Sequence, residues 1–121
     1  MAIDVFVGDR VVAIHLTGLD SVWSLRSRLL VPISEIAAAR VVDRDDAMGR
    51  IGWKFGGTAV PGLVAAGTFT LDHADGDRAF CCLYRDRELL EIETTIQRPR
   101  LILLQHPDRH ELAWLIGERV H

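Results

Sequence analysis

The chain has 121 residues, 49% apolar and 26% charged, with a formal net charge of −3. That gives room for one domain, residues 1–121, with a real hydrophobic core. The mild acidic balance excludes a global field that would gather nucleic acid or an anionic membrane surface. All 14 basic residues are Arg except Lys54, and they are scattered along the chain rather than clustered.

The first ten residues, MAIDVFVGDR, carry Asp4, Asp9 and Arg10, which leaves no apolar core for an export signal. No apolar run approaches the roughly twenty residues that span a bilayer. A cytoplasmic protein is expected.

Alternation with period two dominates the chain. Residues 2–7 and 10–17 read as two strands around Gly8–Asp9, which gives a two-residue hairpin signal. In the second strand Val12, Ile14 and Leu16 share one face, and Val11, Ala13 and His15 the other. His15 is expected at the solvent side or the rim. Residues 17–27 change period: Leu19, Val22, Trp23 and Arg26 fall at helical spacing behind Thr17 and Asp20, which predicts a short helix near 18–27.

RLLVP predicts a strand ending at Pro32, followed by one irregular turn over 33–35 and a strand over 37–43. Residues 43–62 show no clear period. They are read as a long loop, or as a shorter loop with irregular strand pieces around 51–55. Beyond Gly62 the pattern is a meander: strands over 63–71, 78–85, 88–95 and 100–106, with turns at Asp75–Gly76, Asp86–Arg87 and 97–99. Cys81 and Cys82 are neighbours on one of these strands. They point to opposite faces, cannot readily bridge each other, and lack metal-ligand spacing; one is expected in the core and the other half exposed. Residues 107–120 close the chain as an amphipathic helix, with Leu112, Leu115 and Ile116 on one stripe and Asp108 and Glu111 at its start.

Few residues carry recognisable chemistry. FGGTAVPG is rich in glycine, but Lys54 lies on the wrong side of Gly56–Gly57 for a phosphate loop, and no helix follows to hold an anion. Gly56–Gly57 and Pro61–Gly62 read as turn formers, and Gly67 as a bulge or close-approach residue within a strand. Arg50, Trp53 and Lys54 are the chain's one basic–aromatic interleaving and the candidate binding residues for an anionic ligand. His106 and His110 are four apart, but Pro107 separates strand from helix between them, so no metal site is assigned. The cluster Asp72, His73, Asp75 and Asp77 does not fit a calcium-loop register. No nucleophile or paired-carboxylate motif appears, so no catalytic residue, metal or cofactor is assigned.

Several segments together resemble the bacterial pleckstrin-homology-like domains. They are VPISEI at 31–36 with the strand after it, the Gly-rich approach to Gly67 and Phe69, the strand ending Ile92-Glu93-Thr94, and the closing strand–Pro-Asp–helix over 101–116. The resemblance implies a bent antiparallel barrel or sandwich of about seven strands, capped by the C-terminal helix. It also brings phosphoinositide binding to mind. Lipid-binding members of the wider fold line the first hairpin loop with several basic residues, whereas here Asp9 stands beside Arg10, and membrane binding is not carried over. What is expected is a non-enzymatic module that self-associates or binds a protein partner. The alternative is an anionic ligand or lipid head group held by the 43–62 segment, and the third and last reading is a small metal-dependent enzyme using His106 and His110.

Overall fold

The computed structural model describes residues 2–17, 28–60, 64–71, 77–83, 87–96 and 99–120. In chain order these form β1 (Ala2–Val7), β2 (Val11–Thr17), β3 (Arg28–Pro32), a 3-10 turn (Ile33–Glu35), β4 (Ile36–Asp43), α1 (Arg44–Met48), β5 (Ile51–Val60), β6 (Val64–Leu71), β7 (Arg78–Leu83), β8 (Glu88–Thr94), β9 (Leu101–Leu104) and α2 (Arg109–Val120). The protein is mainly β, with a C-terminal helix. The helix expected near 18–27, the turn at Asp75–Gly76 and Pro61–Gly62 lie outside the described residues.

β1, β2 and β3 form an antiparallel three-stranded sheet. Val12, Ile14, Leu16, Leu29 and Val31 point inward and are buried, as alternation predicts. The first hairpin is shifted by one residue from its sequence reading. The Gly8 N–H donates to the Val11 carbonyl at 2.9 Å, so Asp9 and Arg10 occupy the two central positions of the turn. Gly8 fits closely at this place, since a Cβ there would stand 3.2 Å from the Val11 oxygen and press on it.

The remaining strands form a six-stranded sheet in the order β4-β8-β9-β7-β6-β5. The expected meander is corrected here. β9 inserts between β7 and β8 and runs parallel to β7, so the sheet is mixed rather than antiparallel. The physical reason lies in the Leu101–Leu104 run, whose four side chains are all buried. A continuous apolar strand needs cover on both faces, and at this place in the sheet Ile102 and Leu104 face one core and Leu101 and Leu103 the other. The two sheets do not close into a barrel, and the nine strands among the described residues exceed the expected number of about seven.

For residues 43–62 the second reading, a shorter loop with irregular strand pieces around 51–55, is the one the structure follows, with a short helix in the loop and a strand longer than expected. Asp43 caps α1 by accepting the Asp45 N–H at 2.8 Å and the Asp46 N–H at 3.4 Å, and β5 then runs ten residues along β6. Gly56 and Gly57 are strand residues opposite Thr68 and Gly67, not turn formers. The pairing slips twice between Ile51 and Gly56, and such irregularities erase period-two alternation from the sequence. Gly67 has φ 128°, a conformation that disfavours any Cβ, which agrees with its reading as a special strand residue. Gly67→Ala is accordingly expected to lower stability by about 1–3 kcal/mol, read by urea denaturation.

Both faces of the six-stranded sheet are covered. One packs against the inner face of the small sheet, burying Phe80, Cys82, Leu90, Ile92, Ile102 and Leu104 together with Leu112 and Ile116 of α2. The other buries Phe69, Ala79, Cys81, Leu83, Leu89, Leu101 and Leu103 beneath Ala47 of α1, with Met48 and Ile51 at its margin. The two cysteines do face opposite ways, but neither is half exposed, because each face has its own core. α2 packs on β4, β8 and β1. Buried Thr94 closes the β8–β9 connection, donating its hydroxyl to the Pro99 carbonyl at 2.6 Å.

Candidate functional site

Glu91 is the one ionisable side chain among the described residues that is both acidic and buried. It lies in a lateral row with Arg40 on β4, Leu103 on β9 and Cys81 on β7, on the face that α1 covers. A lone carboxylate in such a place is strongly disfavoured. Arg40 Nη1 donates to Glu91 Oε2 at 2.8 Å, and Arg50 Nη2 donates to Oε1. Arg40 also lies 3.5 Å from Glu93 Oε1. The Glu91 hydrogen bond, opposed by partial burial, holds the Arg40 guanidinium above its ordinary range. Each carboxylate oxygen of Glu91 is thus occupied by a guanidinium, an arrangement suited to clamping β4 and the α1–β5 connection onto β8 rather than to moving protons.

Of the three candidate binding residues, Arg50 is therefore turned to Glu91. Trp53 and Lys54 lie on β5, where the Lys54 backbone pairs with Phe69, and their side chains lie outside the described residues. At the start of the same segment, an open depression of about 130 Å³ is lined by Asp43, Arg44, Asp45 and Arg87. Two acids beside two bases give it no net attraction for an anion.

The other chemistry-bearing groups are engaged in structure. His106 Nδ1 accepts the Asp108 N–H at 3.0 Å, and His110 Nε2 lies 3.5 Å from Glu88, so the strand–helix junction separates the two imidazoles' roles. No cluster of three or more His, Cys, Asp or Glu residues spaced to hold a metal occurs among the described residues. Burial, reinforced by neighbouring Cys82, pushes the Cys81 thiol far up, which leaves it a poor nucleophile. No described helix is long and apolar enough to cross a membrane.

What remains is a surface. The outer face of the three-stranded sheet presents Phe6 at 58% exposure, Leu30 at 54% and Val11 at 36%, with Asp4, Arg28 and Pro32 also exposed. Phe6 meets half-buried His15 edge-on, with ring centroids 5.5 Å apart. His15 is thus on the solvent side, as alternation predicts. Trp114 on α2 is exposed as well, at 63%, but it stands between polar helix neighbours rather than in an apolar row. Among protein-family models, curated proteins and solved structures, none matches this chain.

Proposed function

We propose that this protein is a non-enzymatic, cytoplasmic interaction module of pleckstrin-homology-like fold that acts by self-association or by binding a protein partner. The observation that carries this reading is the apolar outer face of the three-stranded sheet, where Phe6, Val11 and Leu30 stand together in solvent. Among the described residues β1 and β3 are the edge strands of that sheet, and edge strands can take up a strand from another chain. Glu91 is held by two guanidinium groups and both thiols are buried, so this reading gives these groups a structural part.

Light scattering after gel filtration, over a wide dilution series, tests the reading. A mass above the monomer at high concentration, falling on dilution, is the expected result. A monomer at every concentration removes self-association. The alternative of an anionic ligand on the 43–62 segment requires Arg50 to leave Glu91. It predicts salt-sensitive binding to anionic vesicles that is lost in a Lys54→Ala, Arg50→Ala double variant.

A further inference from the structure

The outer face of the three-stranded sheet is ordered in rows across its strands. Asp4, His15 and Arg28 stand abreast; the next row is Phe6, Ala13 and Leu30; beyond it lie Val11 and Pro32. The first row opens with an acid on one edge strand and closes with a base on the other. The second runs from an aromatic to an aliphatic residue across a small central alanine.

From this order we infer that the face binds a second copy of itself, in an isologous dimer whose two-fold axis runs along β2. The inference rests on the self-association reading and adds its surface and symmetry. A rotation about that axis exchanges β1 with β3 and keeps every row in place. It therefore lays Asp4 over Arg28 of the second copy, Arg28 over Asp4, and Phe6 over Leu30, while Ala13 meets Ala13 where the two sheets come closest. A two-fold axis running across the strands instead, centred on the Phe6 row, sets the charged row over the Pro32 row and leaves Asp4 and Arg28 without opposite charges. The charges select the first arrangement.

Sheet twist turns facing strands about 30° apart, so the match holds for the central rows only. Three strands about 4.8 Å apart and five residues long, at about 3.3 Å each, make a patch of about 14 by 17 Å. That falls short of the roughly 800 Å² per partner of a standard interface, and the dimer is a weak, reversible one.

Sedimentation equilibrium over a dilution series tests this on four samples: wild type, Asp4→Arg, Arg28→Asp, and the two variants mixed one to one. Both positions are on the surface, and thermal melts verify that each variant is folded. Wild type is expected to dimerise, and each variant alone to bind itself at least about tenfold more weakly, because like charges then face each other. The mixture is expected to recover wild-type affinity, since it alone restores both opposite-charge pairs. An effect confined within one chain cannot produce that recovery. Weakened variants that fail to recover on mixing overturn the proposed axis. Variants that associate like wild type overturn the face but leave self-association standing. A wild type monomeric up to about 1 mM overturns both and leaves the face to a different protein.

Discussion

Replacing Arg40 and Arg50 together by alanine is expected to destabilise the protein by about 3–5 kcal/mol at neutral pH, because Glu91 is then a buried carboxylate with no partner. The arginines are themselves about half exposed, at 46% and 48%, so the cost does not arise from their own burial. It arises from Glu91, whose side chain is 1% exposed and whose two oxygens lose both donors. Adding Glu91→Leu to the pair is expected to return most of the loss, because an apolar side chain suits a row shared with Leu103 and Cys81. Urea denaturation of wild type, Glu91→Leu alone, the arginine pair and the triple variant gives the comparison. If the two arginine changes cost as much with leucine at position 91 as with glutamate, the guanidinium stems rather than the charges hold this region together.

Ile102→Ala is expected to cost about 2–5 kcal/mol, the range for emptying a fully buried aliphatic site. Ile102 lies on β9, paired with Phe80 on one side and Ile92 on the other, and it belongs to the core shared by both sheets and α2. The surrounding strands are held by ladders on both sides, so the cavity has little freedom to collapse. Leu30→Ala, at an exposed site of the same chain, is expected to change monomer stability by no more than about 0.5 kcal/mol. Thermal unfolding of the two variants below the association concentration separates core from surface. Equal losses would contradict the assignment of Leu30 to a solvent face.

The sequence disclosed most where period two met a single buried face. In β1, β2 and β3 the alternation separates Val12, Ile14 and Leu16 from Val11, Ala13 and His15, and the structure keeps that division. It disclosed least where cover comes from elsewhere in the chain. Alternation sets Glu91 and Glu93 opposite Leu90 and Ile92, but that Glu91 is interior depends on distant parts of the chain: α1 and Ile51 pack on that face, and Arg50 pairs with Glu91. The same cover buries Cys81. The run of four apolar residues in β9 marks a strand buried on both faces, but it does not specify which strands lie beside it, and chain order alone puts β8 beside β7. The row of Phe6, Ala13 and Leu30 depends on register across three strands, which no single segment specifies.

The insertion of β9 also governs the order in which the chain can fold during synthesis. β7 and β8 are made first, but the strand that joins them comes from Leu101–Leu104, near the C-terminal end. Until those residues leave the ribosome, β7 and β8 each keep an open edge facing the vacant place. Open edges of this kind are where incompletely folded chains pair with one another. The arrival of four leucine and isoleucine residues closes both edges in one step.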